Sequence, residues 1–257
     1  MRTIKEITAS LKAAENIEPW MEEIKQDERT AVQKAWVQFQ KRLEKKREIL
    51  EEHRKKMAFD ASFLPHIEAL VAGVDEAGRG PLAGPVVTAA VILPNYCEAL
   101  LGINDSKQLS KEMRQGYVEQ IKEQAVAYAI HFQPPEVIDT INIYEATKQS
   151  MVESITSLQI EPDVVIADAM SLPIALPQHS IIKGDAKSLA IAAASILAKT
   201  ARDEYMEMLH DQYPQYGFHQ HAGYGTKQHL EALKQFGPTV HHRKSFEPIK
   251  TMIHQKG

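Results

Sequence analysis

Apolar residues fall along this chain in two rhythms, and the change between them comes near residue 69. Ahead of it, Trp36, Phe39, Leu43 and Leu50 recur at helical spacing, while Lys45, Lys46 and Arg47 keep the stripe narrow. Residues 1–60 contain no glycine, and Thr3-x-x-Glu6 has the form of a capping box. The pattern predicts a charged helical extension over residues 1–68, a hairpin or arm with a small core stripe. From residue 69 onward, short apolar runs alternate with Gly, Pro and Asp, as where strands alternate with helices. Residues 70–74 and 86–93 read as buried strands joined by the turn Ala77-Gly78-Arg79-Gly80-Pro81 in a hairpin-like connection. Ser110 caps a helix to about residue 124, and residues 125–132 read as a third strand. Pro134-Pro135 opens a helix to about residue 158, and 164–168 is a strand. Asp185 or Ser188 caps an Ala-rich helix that Tyr213-Pro214 stops, and Thr226 starts a helix closed by Gly237. The expected fold is α/β, a mixed β-sheet flanked by helices over residues 69–257, behind the helical extension.

A chain of 257 residues, 44% hydrophobic, suits one well-cored domain with an appendage. Its single cysteine, Cys97, excludes an internal disulfide framework, and the first ten residues lack an apolar signal core. The Ala-rich stretch 189–198 is too short to span a membrane and runs into Lys199 and Arg202. These features predict a cytoplasmic protein without a membrane partner. Net charge is −4, which by itself argues against phosphate binding. Its distribution softens that argument. Lys and Arg stand 14 to 12 against Asp and Glu in residues 1–60, 6 to 15 in 61–182 and 10 to 7 in 183–257. An acidic middle between mildly basic ends suits carboxylates that hold cations, and equally a solvated acidic face.

The carboxylates sharpen the choice. Asp75-Glu76 follows the apolar run 70–74, and Asp168 ends Val164-Val165-Ile166-Ala167. A carboxylate at a buried strand end needs a cation or strong donors, and strand C-termini are where α/β sheets gather functional groups. Either aspartate alone could simply accept from turn amides, and Asp185 alone could be a plain helix cap. Together Asp75, Glu76, Asp168 and Asp185 are an all-oxygen donor set that matches Mg²⁺ or Mn²⁺, not zinc. Two competing readings stay open. Gly78-x-Gly80 after a strand has the look of a dinucleotide-binding turn, although Pro81, Pro85 and Val86-Val87-Thr88 follow where a helix should open. His219-x-His221 with His241-His242 would suit a zinc-stabilised or noncatalytic nucleic-acid-binding module.

The motifs themselves carry more. Val74-Asp75-Glu76-Ala77-Gly78-Arg79-Gly80-Pro81-Leu82-Ala83-Gly84-Pro85-Val86, Asn104-Asp105-Ser106-Lys107-Gln108-Leu109-Ser110, Lys183-Gly184-Asp185, Ala192-Ala193-Ala194-Ser195-Ile196-Leu197-Ala198-Lys199 and His221-Ala222-Gly223-Tyr224-Gly225-Thr226 closely resemble bacterial ribonuclease HII, in that family's order and over roughly residues 70–250. Residues 1–60 lie outside the resemblance, and Gly78-Arg79-Gly80-Pro81 separates it from ribonuclease HIII. What the resemblance implies is a ribonuclease H-like fold with Asp75, Glu76, Asp168 and Asp185 as an acidic site for two divalent ions, Mn²⁺ or Mg²⁺. The implied substrates are RNA/DNA hybrids and DNA duplexes containing ribonucleotides. Gly78, Arg79 and Gly80 would read a 2′-hydroxyl, and Tyr224 would stack on the sugar after the ribonucleotide. Asn104, Ser106, Lys107, Lys199 and Arg202 are the expected phosphate contacts. The last residues, 252–257, lack the aromatic pair of a sliding-clamp peptide, so the expectation is a monomer without a clamp partner.

Overall fold

The structure, a computed structural model, describes residues 2–103 and 109–254. Its contacts divide the chain into two compact units, Met1–Arg54 and Lys55–Gly257. The first is built from α1 (Ile4–Ala13), α2 (Met21–Lys25) and the leading part of the long α3 (Thr30–Ala61). The Thr3 hydroxyl accepts from the Glu6 N–H while the Glu6 carboxylate accepts from the Thr3 N–H, so the capping box forms as its spacing predicts. Trp36, Phe39 and Leu43 bury with Ile7, Leu11, Met21, Ile24 and Val32, and the stripe ends there. Arg42 closes this small core by donating to the Leu11 and Ala14 carbonyls at 2.8 and 2.6 Å, beyond the last turn of α1.

In the second unit the chain forms β1 (Val71–Ala77), β2 (Val86–Ile92), α4 (Lys111–Gln124), β3 (Ala127–Gln133), α5 (Pro135–Thr156), β4 (Val164–Asp168), β5 (Gln178–Ile181), α6 (Gly184–Lys187), α7 (Leu189–Gln212), α8 (Phe218–His221), α9 (Lys227–Phe236) and α10 (Ile249–His254). Among the described residues the sheet runs β3-β2-β1-β4-β5. β1 pairs antiparallel with β2 and parallel with β4, so the sheet is mixed. Ser110, Ser188 and Thr226 cap α4, α7 and α9 through their hydroxyls. Among the described residues no helix is long and apolar enough to cross a membrane.

Three details depart from the sequence pattern. β1 does not stop at Val74 but carries Asp75 and Glu76 within it, paired with Ala89 and Thr88 of β2. β5 was not expected, because four residues of mixed exposure show neither an apolar run nor clean alternation. α5 is bent at Asn142, whose φ is 69°, and its side-chain oxygen accepts from Tyr144 and Glu145 N–H to restart the helix.

Strand alternation decides which side chains meet which helix. Ala89 and Val91 of β2 pack with Ala77 against α7, while Ala90 and Ile92 pack with Ala72 and Val74 against α5. Asp75 therefore shares the α7 face with Gly73 and Ala77. On β4, Ile166 packs with Ile191 of α7, which puts Asp168 on the same face. The parallel register sets Val74 beside Ala167, so Asp75 and Asp168 follow side by side at the C-terminal ends of strands about 4.8 Å apart. Gly73 lets α7 come this close, since a Cβ there would lie 2.3 Å from the Ala190 backbone carbon.

The end of α3 belongs to this unit and braces it. Asp60 accepts from the Leu189 and Ala190 N–H groups at 3.0 and 2.9 Å, capping α7 from outside. Burial lifts its pKa to about 6, against the pull of the Ser188, Ala190 and Leu189 hydrogen bonds and of Lys56. Lys56 donates to the Ile103 and Asp185 carbonyls at 3.1 and 3.2 Å, holding the backbone that carries Asp185. The compact division thus falls ahead of the boundary expected at residue 68.

Candidate active site

The carboxylates of Asp75, Glu76, Asp168 and Asp185 line one cleft of about 310 Å³, together with residues 77–80, Ser195, Lys199 and Tyr224. Asp75 is the buried centre, 5% exposed. Its carboxyl is held well above the usual range, first by burial and then by the charges of Glu76 and Asp168, with Ser195 and the Glu76 amide pulling the other way. Glu76 pairs with Arg79 at 3.4 Å, Asp168 accepts from the Gly184 N–H at 2.7 Å, and Asp185 accepts from the Ala186 N–H at 2.9 Å. Among the described residues no three His, Cys, Asp or Glu side chains are gathered tightly enough to hold an ion. The chemistry of the donors nonetheless fits a hard divalent cation: oxygen only, several formal charges, and a buried aspartate whose ionised form its neighbours oppose. The plain-cap alternative for Asp185 fails, because Ser188 caps α7 and Asp185 lies inside α6.

Residues 78–85 leave β1 and return as β2, so the Gly78-x-Gly80 turn opens a strand and not a helix. The dinucleotide reading is therefore excluded at this position. Gly78 sits at φ +92° with the Arg202 side chain directly beneath it. Tyr224 is 51% exposed, and its Cε1 lies 3.5 Å from where a Cβ on Gly80 would be. An exposed aromatic edge thus stands beside the glycine turn at the mouth of the acidic cleft, an arrangement suited to a sugar or base. Lys199 lines the cleft too, but Asp203 holds its ammonium, and Arg114 approaches the same carboxylate at 3.3 Å.

Tyr224 is held through histidines. The Thr239 N–H donates to His242 Nδ1, which leaves the proton of His242 on Nε2 to face His229 Nε2 at 3.0 Å. His229 must then donate from Nδ1 to the Tyr224 carbonyl, 2.9 Å away. Burial, with the neighbouring histidines, depresses His242 to about 3 and lowers His229, keeping both neutral as this chain of bonds requires. His221 is occupied as well, between the Tyr216 carbonyl and the Gly223 N–H. His221 and His242, two of the four histidines in the zinc reading, are thus committed to hydrogen bonds within the fold, and among the described residues no group of three His, Cys, Asp or Glu could hold an ion.

One expectation is corrected. Arg202 was expected to grip phosphate, yet it is 2% exposed and donates to the Pro85 and Ala83 carbonyls under the turn. Asn104, Ser106 and Lys107 lie outside the described residues. Two residues were missed: Ser195, whose hydroxyl bonds Asp75, and Arg243, buried under the same turn. Ser195 stands four residues before Lys199 on α7, and that helical spacing toward the acidic strand ends was the available signal. Arg243 offered none. A larger cleft of about 600 Å³ in the first unit has its Asp27 closed by Arg29.

The family model for Ribonuclease HII matches residues 72–249, and that for the Ribonuclease HII N-terminal domain matches residues 3–64. A Ribonuclease HII of Halalkalibacterium halodurans is 48% identical over 250 residues, covering 96% of this chain and 95% of the relative. Among solved structures, the ribonuclease H2 of Pyrococcus horikoshii OT3 superposes with a TM-score of 0.64 at 28% identity, covering 72% of this chain and 98% of that one. The RNase HII of Archaeoglobus fulgidus, solved in complex with PCNA, superposes at 0.59 with 27% identity, covering 69% of this chain and 95% of that one.

Proposed function

Because the chain belongs to the ribonuclease HII family and is a ribonuclease H endonuclease, we propose that its acidic cleft hydrolyses the RNA strand of RNA/DNA hybrids and incises duplex DNA 5′ of an embedded ribonucleotide, leaving 5′-phosphate and 3′-hydroxyl ends. The observation that carries this reading is the meeting, in one cleft, of paired strand-end carboxylates with the Gly78–Gly80 turn and Tyr224. The first set suits phosphodiester hydrolysis and the second suits recognition of a ribose.

In this reading Asp75, Glu76, Asp168 and Asp185 would hold two divalent ions, Mn²⁺ or Mg²⁺. Bound there, the ions would lower the pKa of an attacking water and offset charge on the leaving oxygen. Ser195 orients the Asp75 carboxyl, and the Gly184 N–H orients that of Asp168. Lys199 adds positive charge beside the scissile phosphate, shared with Asp203. The Arg79 and Gly80 amides meet the 2′-hydroxyl, which distinguishes RNA from DNA at one sugar. Tyr224 stacks on the following sugar. The protein acts as a monomer in the cytoplasm in ribonucleotide removal from DNA.

A labelled RNA/DNA hybrid tests the reading. Cleavage of its RNA strand should need added Mn²⁺ or Mg²⁺ and cease in excess chelator, with an all-DNA duplex of the same sequence left uncut. Undiminished cleavage in chelator, or equal cutting of the all-DNA duplex, would overturn it.

A further inference from the structure

Arg243 lies beyond α9 and is 0% exposed, and the Asp139 carboxylate favours its charge without being hydrogen-bonded to it among the described residues. Its donors go to backbone carbonyls instead. Nη2 donates to Gly78 at 2.6 Å, Nη1 to Arg79 at 2.8 Å and Nε to Gly84 at 3.0 Å. Arg202 treats the next stretch of the loop in the same way, through the Ala83 and Pro85 carbonyls. A buried guanidinium is tolerated only where its N–H groups are met, and here the segment that meets them is the glycine turn. Burial and the charge of Arg202 draw Arg243 down to about 9, which leaves it protonated at neutral pH.

A trans peptide sends its C=O and the following N–H in opposite directions. With the Gly78 and Arg79 carbonyls drawn inward to Arg243, the N–H groups of Arg79 and Gly80 turn outward, toward the cleft where Tyr224 stands beside Gly80. We infer that Arg243 is a positioning residue for ribose recognition: its fork fixes the two peptide planes of Gly78-Arg79-Gly80 so that their amides meet a 2′-hydroxyl. This rests on the proposed function and specifies how its sugar-reading half is held. The arginine is itself pinned, its N–H donating to the Leu82 carbonyl at 2.9 Å. The next two amides, of Lys244 and Ser245, donate to Asp139 of α5 at 2.9 and 2.8 Å. Lysine cannot replace the fork, because one ammonium cannot hold two carbonyl planes at fixed angles.

The test uses the full chain with Mn²⁺ and two constants: KM for a duplex carrying one ribonucleotide, and the inhibition constant Ki of the matching all-DNA duplex as competitor. Wild type should give a KM well below Ki. In Arg243→Lys, KM should rise by about 10-fold or more, the usual scale for losing an orienting partner, while Ki stays within about twofold because phosphate contacts do not need the fork. A rise in both constants together, or in neither, overturns the inference. If Arg243→Lys melts too early to assay, Asp139→Ala decides. It frees the Lys244 and Ser245 amides and should raise KM by about threefold with Ki unmoved, and an unchanged KM overturns the inference. Wild type with KM equal to Ki would instead refute the proposed ribose recognition, and this inference with it.

Discussion

Replacing Asp75 by Asn is expected to slow cleavage by about 10³-fold or more while raising the melting temperature of the metal-free protein at pH 8. Both effects have one cause. Asp75 is buried on the α7 face beside Asp168, with Glu76 next in the strand, and all three oppose its ionisation in the folded state. A carboxyl whose folded pKa is raised adds stability below its unfolded value, near 3.9, and loses that contribution as pH climbs through the folded value. At pH 8 the charged aspartate therefore weakens the metal-free fold, and asparagine, neutral at every pH, does not. The gap between variant and wild type should close as the pH falls toward about 4. Mn²⁺ should raise the melting temperature of wild type and leave the variant nearly unmoved, since only a site that holds the ion is stabilised by it. Calorimetry across pH, with cleavage rates alongside, checks this. A variant that cuts within tenfold of wild type, or melts below it at every pH, contradicts the account.

Gly78→Ala should be the most damaging single methyl in the turn. At φ +92° an L side chain is strained, and the added carbon would lie 1.9 Å from Arg202 Nε, a buried atom already bonded to Pro85. Backbone strain and forced repacking together should cost about 2–5 kcal/mol. Activity on a single-ribonucleotide duplex should fall by on the order of 100-fold, because the amides that follow Gly78 are displaced with it. Arg79→Ala supplies the contrast. That side chain is 42% exposed and, among the described residues, pairs with Glu76 at 3.4 Å, and the reading assigns recognition to its amide, so the loss should stay under about tenfold. Equal losses in the two variants would mean that the arginine side chain, not the turn backbone, reads the substrate.

Local chemistry foretold much of this fold. Ser110 and Thr226 start their helices, Val164–Asp168 is a strand with the predicted limits, and the buried strand ends do bring their acids into one cleft. What local sequence does not encode is where distant groups meet. Arg202 looks like any cation on a helix, and only the return of residues 82–85 over α7 buries it. Arg243 donates to carbonyls 164 and 165 residues earlier, and nothing in His241-His242-Arg243-Lys244 announces that. The N-terminal boundary is obscured for a similar reason. α3 reads as one uniform charged helix, yet Asp60 caps α7 and Lys56 holds the Asp185 backbone, so deletion through residue 68 would strip supports from the site. Deletion of residues 1–54 would spare them.

The position of the cut in a DNA duplex carrying one ribonucleotide tests the central claim most directly, because it joins metal chemistry to sugar recognition. A ribonuclease that uses the ribose 2′-hydroxyl as its nucleophile can attack only the phosphate on the 3′ side of that ribose. Water activated by divalent ions that Asp75, Glu76, Asp168 and Asp185 would hold has no such restriction, so the sugar could be gripped by the Gly78–Gly80 turn while the phosphate before it is cut. End-labelled duplex, incised with Mn²⁺ and resolved at single-nucleotide steps, should show one break on the 5′ side of the ribonucleotide, with a DNA 3′-hydroxyl and a 5′-phosphorylated ribonucleotide. A break on the 3′ side, or a cyclic phosphate end, would contradict the account.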